Sequence, residues 1–339
     1  MKALLTARLE PAVLETFSRY MEIRPAGWGH TGVKLTPEQL AEQVDGVHAL
    51  IVEYEHITEA VLARATDLRV ILCCRGGPRA SVDVECATRH NIPVLYTPGR
   101  NADAVADLTF GLIMTVTRRI AQTNFLIKSR RWDSVGWDTH GNAPKKRFTG
   151  PQLAGRTLGC VGFGEIGRRV ARRAAAFGMA VRAYDPALQQ EQGIDGVTLV
   201  DSLDELLATS DVVSLHCPPA TEPLLDERAI RVLRPGSYLV NTASGSLIDE
   251  TALAAAVRDG HLAGVGLDVL AEEPIAADSP LLDLDPVVLT PHIGGASDDI
   301  LRTQSQLALA AFESWAFTLE PSFIVNPSVL GGETPRWQG

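Results

Sequence analysis

The chain has 339 residues, 45% apolar and 21% charged, a composition typical of a soluble globular protein with room for two domains. Its formal net charge of −10 argues against nucleic acid or an anionic membrane surface as a partner. The apolar runs all fall short of the roughly 18 residues that a membrane-spanning helix needs.

Short apolar runs alternate with amphipathic segments over the first hundred residues. Four runs have the length and composition of strands buried on both faces, at 3–6, 48–52, 69–74 and 93–96. Thr36-Pro-Glu-Gln39 has the spacing of a capping box with proline at the first helical position, and another helix is expected from Thr58. This alternation predicts a parallel sheet covered by helices.

The stretch 103–128 has the apolar spacing of one long helix. Residues 129–150 then lose this periodicity and contain Trp132 and Trp137. A structureless segment of that length inside a compact protein is usually functional or part of an interface, and tryptophan is enriched at interfaces. We therefore expect this segment to contribute to a homodimer interface.

A second alternation of strands and helices follows. Strands are expected at 157–161, 181–184, 212–216, 238–241, 263–269 and 287–289, and a last long helix at 296–317. We expect two domains, one made of 1–102 with 318–339 and the other of 103–317 including the two long helices.

The five cysteines are odd in number and form no Cys-x-x-Cys pair, and several lie in apolar strand-like runs. Such cysteines are typical of buried, reduced thiols. We therefore expect a cytoplasmic location, no disulfide and no metal site.

A glycine-rich turn joins the first strand of the second array to a helix. Its Gly-x-Gly-x-x-Gly spacing is that of a dinucleotide-binding turn: Gly162 makes the tight turn, Gly164 lets the backbone approach a pyrophosphate, and Gly167 lets the helix pack on the strand. The helix N-terminus offers free N–H groups to the phosphates. Asp185 lies 23 residues beyond Gly162, near the usual spacing of a ribose-binding acid, whereas a turn that only tightens the fold leaves it unexplained. Because a carboxylate repels a 2′-phosphate, the sequence predicts NAD rather than NADP.

Two further stretches, 266–274 and 289–295, come at or just beyond expected strand ends. Hydride transfer between a secondary alcohol and a nicotinamide needs a base for the hydroxyl proton, and histidine suits this role and the reverse one. A carboxylate on the other ring nitrogen fixes the tautomer, so His292 with Glu273 is the natural pair. Taken alone, His292 is more simply explained as a hydrogen-bonded strand-end residue, and Glu273 as a solvated one.

The chain resembles the D-isomer-specific 2-hydroxyacid dehydrogenases, in particular those like phosphoglycerate dehydrogenase. The resemblance runs from about 51 to 326, and its motifs appear in the family's order. They are Arg75-Gly-Gly-Pro78, Tyr96-Thr-Pro-Gly99, the glycine turn with Tyr184-Asp-Pro186, Leu215-His-Cys-Pro218, Val240-Asn-Thr-Ala-Ser-Gly245, the 266–274 stretch and Thr290-Pro-His-Ile-Gly294. The resemblance implies an α/β protein of two domains, a flavodoxin-like substrate-binding domain and an inserted Rossmann-type NAD-binding domain.

The resemblance also implies roles for individual residues. His292 becomes the general acid/base with Glu273 as its partner, and Gly76 and Gly77 offer backbone N–H groups to the substrate carboxylate. Asp268 and the backbone of Thr242 and Ala243 hold the nicotinamide side of NAD. The full set of implied cofactor contacts is Gly162, Gly164, Glu165, Ile166, Gly167, Asp185, His216, Cys217, Pro218, Thr242, Ala243, Asp268 and Gly294.

Ser244 departs from the family pattern, which carries an arginine at this position of the Asn-Thr-Ala-Arg-Gly run. A guanidinium binds a carboxylate through two hydrogen bonds and polarises a carbonyl, and a serine hydroxyl brings no charge to either task. Its loss is expected to slow turnover about 10²–10³-fold unless another group substitutes. Arg75, Arg79 and Arg100 are the candidate substitutes, and Arg75 is favoured because it directly precedes the two glycines.

Three interpretations stay open at this stage. The first is an NAD-dependent oxidoreductase acting on a D-2-hydroxy acid or its 2-keto counterpart. The second is an NAD-binding regulatory or weakly active protein that has lost efficient chemistry with the arginine. The third is a sugar-acid dehydrogenase in which Ser244 makes room for a bulkier substrate and Arg75 supplies the charge.

Overall fold

The structure, a computed structural model, describes residues 1–131, 148–188, 196–318, 320–330 and 337. The expected interface segment with Trp132 and Trp137 falls mostly on 132–147 and so lies outside the described residues. The chain divides into two compact units, the first made of 1–101 with 297–339 and the second of 102–296.

Strands and helices alternate along the described chain. The strands are β1 (Lys2–Leu5), β2 (Glu22–Pro25), β3 (Ala49–Val52), β4 (Val70–Cys73), β5 (Val94–Tyr96), β6 (Thr157–Val161), β7 (Ala180–Tyr184), β8 (Val197–Leu199), β9 (Val212–Leu215), β10 (Ser237–Asn241), β11 (Leu262–Leu267) and β12 (Val287–Leu289). The α-helices are α1 (Pro11–Phe17), α2 (Gly27–Thr31), α3 (Pro37–Ala41), α4 (Glu59–Arg64), α5 (Val84–Arg89), α6 (Ala102–Arg118), α7 (Ile120–Lys128), α8 (Glu165–Ala176), α9 (Leu203–Thr209), α10 (Glu227–Val232), α11 (Glu250–Arg258) and α12 (Ile300–Phe317). Short 3-10 helices lie at Pro78–Ala80, Pro186–Leu188, Gly245–Leu247 and Pro327–Val329.

The first unit contains a five-stranded parallel sheet in the order β2-β1-β3-β4-β5. This is the strand order of flavodoxin-like folds, as the sequence resemblance implies. Every residue of β3 and β4 is buried, which explains why these strands are continuous apolar runs. The capping box at the start of α3 is present, with Thr36 and Gln39 bonding each other's backbone N–H.

The last long helix, α12, belongs to the first unit and not to the cofactor domain, so the expected boundary at residue 317 was wrong. The physical reason lies in its apolar face. Phe312 is 1% exposed and its ring contacts that of Phe17 at 5.4 Å, while Trp315 is buried in the same core with Ile51 and Leu72. The helix therefore forms part of the first hydrophobic core.

The second unit contains a seven-stranded parallel sheet in the order β12-β11-β10-β9-β6-β7-β8. Counted from β6, this is the dinucleotide-binding order of the Rossmann fold with one added strand. The chain reverses its direction of winding between β6 and β9, and ligands of such sheets bind at the carboxyl ends of the strands at this switch point.

The predicted helix over 103–128 is two helices. Arg119 separates α6 from α7 with a left-handed backbone, φ 53°. Sequence patterns did not indicate this break, because apolar spacing continues through it and neither glycine nor proline marks it.

Candidate active site

The glycine turn after β6 is closely packed at two of its three glycines. Gly162 has φ +88°, and a Cβ added there would lie 2.7 Å from the carbonyl of His216, in the chain that follows β9. A Cβ at Gly167 would lie 2.4 Å from the carbonyl oxygen of Gly162. Glycine is therefore required on steric grounds at both positions, one at the switch point and one where α8 packs on the turn.

The third glycine faces open space. Gly164 is the N-cap of α8 with no side-chain cap, and nothing lies within 4 Å of a Cβ added to it. Glu165 opens the helix and turns its carboxylate to Arg169 at 2.5 Å, and Ile166 follows half-buried. The first-turn N–H groups of α8 thus have no side-chain partner within the turn and can bind an anion.

Asp185 stands beside this turn at the end of β7. Its Oδ2 accepts a hydrogen bond from Phe163 N at 2.8 Å, and its Oδ1 accepts one from Ala187 N at 3.0 Å. These bonds fix the carboxylate at the edge of the glycine turn, the position expected of a ribose-binding acid.

The segment after β9 places a neutral histidine at the switch point. Both ring nitrogens of His216 are buried and have no hydrogen-bond partner among the described residues, and burial lowers the pKa of this imidazole to about 3. Burial likewise raises the pKa of the Cys217 thiol, which stays protonated, and Pro218 is exposed. A neutral imidazole has one donor and one acceptor, so His216 offers two unused polar atoms to a ligand or water.

The turn after β10 carries Ser244. Asn241 braces it, accepting from Ala243 N at 3.0 Å and donating to the carbonyl of Ser244 at 2.7 Å, while buried Thr242 bonds the hydroxyl of Thr109 at 2.9 Å. The Ser244 hydroxyl lies 3.0 Å from that of Ser246. Ser244 and Ser246 therefore form a neutral hydroxyl pair at this turn. Because a Cβ at Gly245 would lie 1.9 Å from the carbonyl carbon of Leu270, this turn also packs directly on the chain that leads to Glu273.

Asp268, buried just beyond the end of β11, holds the loop that presents His292. Its Oδ1 accepts from the Thr290 hydroxyl at 2.6 Å and from Ile293 N at 2.9 Å, and its Oδ2 accepts from Gly294 N at 2.7 Å. Its own carbonyl accepts from His292 N at 2.9 Å. His292 has φ +53°, a conformation that is costly for a residue with a side chain and persists only where its surroundings over-determine it. Besides its implied role toward the nicotinamide, Asp268 therefore fixes the backbone of His292.

His292 and Glu273 are in contact. Nδ1 of His292 lies 2.7 Å from Oε2 of Glu273, whose Oε1 accepts from Leu270 N at 3.1 Å. The hydrogen bond from His292 lowers the pKa of Glu273, with a smaller lowering by the Leu270 N–H, so the carboxylate is ionised at neutral pH. An ionised acceptor places the proton on Nδ1. Nε2 has no partner among the described residues and is left to exchange a proton with a ligand.

In the first unit, the loop after β4 that contains Gly76 and Gly77 carries one arginine, Arg75, that has no carboxylate partner among the described residues. The Arg75 guanidinium lies over the Tyr54 ring at 5.5 Å and donates to the Ser81 hydroxyl at 3.2 Å. The adjacent Gly76 and Gly77 are exposed.

The other two candidate arginines are paired. Arg79 bonds Glu85, and Arg100 lies 2.9 Å from Glu53 and also bonds Gln304. The side chains of Arg100 and Glu53 are only 13% and 4% exposed. This buried pair occupies the guanidinium and argues against the substrate contact expected at Arg100.

Some site contacts were not predicted. Thr290 and Thr109 were given no role, although each bonds a predicted site residue. Glu250 accepts from Ala271 N at 2.7 Å across 21 residues of sequence. Local patterns carry no signal for such long-range side-chain contacts, because they depend on which helices and loops come together in the folded chain.

A parallel sheet in dinucleotide order, a glycine turn at its switch point and a histidine–carboxylate pair are together typical of nucleotide-dependent dehydrogenases. Residues 110–294 match the family described as D-isomer specific 2-hydroxyacid dehydrogenase, NAD binding domain. The chain belongs to the D-isomer-specific 2-hydroxyacid dehydrogenase family, and the matched domain binds NAD, the predicted cofactor.

Named proteins of similar sequence support this family membership. A D-3-phosphoglycerate dehydrogenase of Methanocaldococcus jannaschii is 36% identical over 303 residues, 88% of this chain and 54% of the relative, so the chain spans about half of that protein's length. A glyoxylate reductase of Thermococcus litoralis is 35% identical over 305 residues, 87% of this chain and 88% of the relative. A solved structure from Thermus thermophilus is 35% identical with a TM-score of 0.76, covering 96% of this chain and 100% of that one.

Within the described residues, no helix has both the length and the apolarity to cross a membrane. The cytoplasmic location and the homodimer stay predictions.

Substituting two of the glycines separates packing from cofactor binding. Gly164→Ala should fold like the wild type because its methyl group enters open space, but it should weaken NAD binding about tenfold by occupying the anion position. Gly167→Ala should instead lower the free energy of unfolding by about 1–3 kcal/mol because its methyl group overlaps the Gly162 carbonyl. Calorimetric NAD titration and chemical denaturation measure the two effects. An unchanged NAD affinity in Gly164→Ala would contradict the assigned site.

The lowered pKa of Glu273 makes its contribution to stability depend on pH. A carboxyl group whose folded-state pKa lies below its ordinary value of 4.5 stabilises the fold fully above that pH and loses the effect as pH falls through the folded-state pKa. The wild type should therefore be more stable than Glu273→Gln at neutral pH, and the difference should shrink below about pH 4.5. Denaturation from about pH 7 to about pH 3 tests this, with Glu272→Gln as the control that should show no such trend. A difference that stays constant down to the lowest pH would count against the pairing.

Proposed function

We propose that the protein is an NAD-dependent oxidoreductase that interconverts a D-2-hydroxy acid and its 2-keto acid by hydride transfer. The observation that carries the proposal is the 2.7 Å contact between His292 and Glu273, within the unit that also carries the glycine turn and Asp185. The names of two relatives, D-3-phosphoglycerate dehydrogenase and glyoxylate reductase, support an acid of this class.

The acid/base pair supplies the proton transfer. Bound NAD supplies the hydride acceptor. In the oxidation direction, Nε2 of His292 takes the hydroxyl proton as the substrate carbon gives up its hydride. The ionised Glu273 holds the Nδ1 proton, which keeps the Nε2 lone pair available and stabilises the imidazolium that forms. In the reduction direction, the same Nε2 returns its proton to the developing alkoxide.

The residues of the second unit fit the dinucleotide. Gly162 and Gly167 form a turn with no room for a side chain, and Gly164 leaves open space at the N-terminus of α8 for a pyrophosphate. Asp185 would accept the ribose hydroxyls. The backbone of Thr242 and Ala243, together with Asp268, would hold the nicotinamide side, as the family resemblance implies.

Arg75 is the residue of the first unit best suited to replace the missing family arginine. Arg79 and Arg100 are neutralised by Glu85 and Glu53, whereas Arg75 has no carboxylate partner in the described parts of the chain. It also directly precedes Gly76 and Gly77, whose N–H groups are the expected partners of the substrate carboxylate. We assign to Arg75 the charge that Ser244 lacks.

Replacing the acid/base residue tests the proposal. His292→Gln should reduce NAD-linked turnover of the hydroxy acid that the wild type oxidises best by about 10²–10⁴-fold, because it removes the proton acceptor. NAD affinity should stay within about twofold, because the glycine turn is untouched. Stopped-flow absorbance of NADH and calorimetric NAD titration measure the two quantities. Turnover at the wild-type rate in His292→Gln would refute the assigned role.

The charge of Arg75 has a separate test with a matched control. Arg75→Ala should lower kcat/KM for the hydroxy acid by about 10²-fold, through loss of a charged hydrogen bond to the carboxylate, and leave the KM for NAD unchanged. Arg79→Ala, in the same loop but paired with Glu85, should leave both constants near the wild-type values. Equal losses in the two variants would show that only the general charge of the loop matters.

One observation favours a second function, an NAD-binding regulatory protein. The Ser244 hydroxyl is paired with that of Ser246 and brings no charge to the position of the family arginine. A screen of hydroxy acids with wild type and Ser244→Arg separates the two functions. Turnover confined to the arginine variant would favour regulation. Turnover confined to the wild type would favour a specialised pocket, such as that of a sugar-acid dehydrogenase.

A further inference from the structure

The turn 270–273 carries Glu273 to His292. It packs on a neighbouring element at its start, where Gly245 lies against Leu270 and the backbone N of Ala271. Residues 271–274 are all exposed, so apolar burial contributes little to their position. Two backbone N–H groups fix the turn by donating to carboxylates. Leu270 N bonds Glu273 itself at 3.1 Å, and Ala271 N bonds Glu250 at 2.7 Å. The Glu250 bond alone of these two anchors the turn to another element.

Glu250 is built into a firmly held helix. It is the first residue of α11, whose inner face buries Leu253 and Val257. The N-cap of that helix is satisfied without it, because Oδ1 of Asp249 accepts from Thr251 N and Ala252 N at 3.0 Å each. The Glu250 carboxylate is therefore not consumed in capping its own helix, and it reaches out to Ala271.

We propose that Glu250 is a positioning residue for the acid/base pair, holding the Ala271 N–H and with it the turn that sets Glu273 against His292. The kinetic consequence rests on the proposed function, while the structural consequence does not.

Ala271 precedes Glu273 by two residues, so a rotation of this peptide moves the Glu273 backbone directly. The contact between Glu273 and His292 is a short charged hydrogen bond of 2.7 Å, and such bonds weaken quickly when distance or angle changes. Loss of the Glu250 anchor should therefore loosen the hold on the Nδ1 proton. It should slow proton transfer without touching the NAD site.

The test compares three variants of the full-length protein. Glu250→Ala removes the acceptor, whereas Glu250→Gln keeps an oxygen that can accept the Ala271 N–H. Glu227→Ala is the matched control, because Glu227 is also the first residue of a helix, α10, and follows an aspartate N-cap that accepts at 2.7 Å. It shares the favourable interaction with the helix dipole but none of the contacts around Glu273.

Two readouts are needed. NMR of protein with 15N-labelled histidine follows the Nδ1 proton of His292 and its exchange with solvent, which a merely structural role of Glu250 would not move. Steady-state kinetics with NAD and the best hydroxy acid give kcat and both KM values. In Glu250→Ala, we expect the Nδ1 proton to exchange at least about tenfold faster and kcat to fall about tenfold, with the KM for NAD unchanged. Glu250→Gln should recover most of both values, and Glu227→Ala should match the wild type.

Several results would overturn the assignment. They are wild-type exchange and kcat in Glu250→Ala, equal losses in Glu250→Ala and Glu227→Ala, or no recovery in Glu250→Gln. If the wild type turns over no hydroxy acid, the proposed function fails. The exchange of the Nδ1 proton then decides the role of Glu250 by itself.

Discussion

The carboxylate of Asp268 is the interaction on which the site depends. It is 1% exposed and accepts three hydrogen bonds, all from the loop that contains His292. A buried carboxylate is costly unless its oxygens are satisfied, and here the donors come from the segment that has to be held. They offset the cost of the left-handed backbone at His292. The backbone of His292, and with it the imidazole that contacts Glu273, is therefore held in place by one buried carboxylate.

Burial and charge give two histidines of the second unit, His216 and His292, opposite chemical characters. His216 is enclosed without a charged partner and is neutral. The side chain of His292 is 62% exposed and bonded to an ionised glutamate. The imidazole of His216 therefore stays uncharged at neutral pH, whereas the ring of His292 is open to solvent and holds an ionised carboxylate at Nδ1. The same side chain thus gains its function from its surroundings, which a residue type alone does not specify.

The interior strands of the two described sheets could be predicted from the sequence, whereas two of the four edge strands, β2 and β8, could not. Strands β3 and β4 are continuous apolar runs because both of their faces are covered, and such runs are distinctive. The edge strands β2 and β8 were missed because neither contains a buried residue or a run of adjacent apolar residues, so their composition does not separate them from loops. The boundary at α12 failed for a different reason. An apolar helix face shows that a helix is buried but not against which core.

In the candidate site, too, some features could be predicted from the sequence and others could not. The glycine turn, Asp185 and the pairing of His292 with Glu273 could be predicted because their chemistry requires particular residue types at particular strand ends. The anchoring of loops by Asp268 and Glu250, and the pairing of Arg100 with Glu53, depend on contacts across 21 to 47 residues of sequence. Spacing along the chain contains no information about those contacts.

The left-handed break at Arg119 has a geometric consequence. A continuous helix over the same residues would carry its apolar face in one direction throughout, whereas one left-handed residue resets the direction of the axis. Helix α6 keeps its buried face, with Ile113 and Val116 in the second core, while α7 is free to present Phe125 and Ile127, 63% and 50% exposed, outward. One left-handed residue thus divides what would be a single buried helix into a buried helix followed by a helix with exposed apolar side chains.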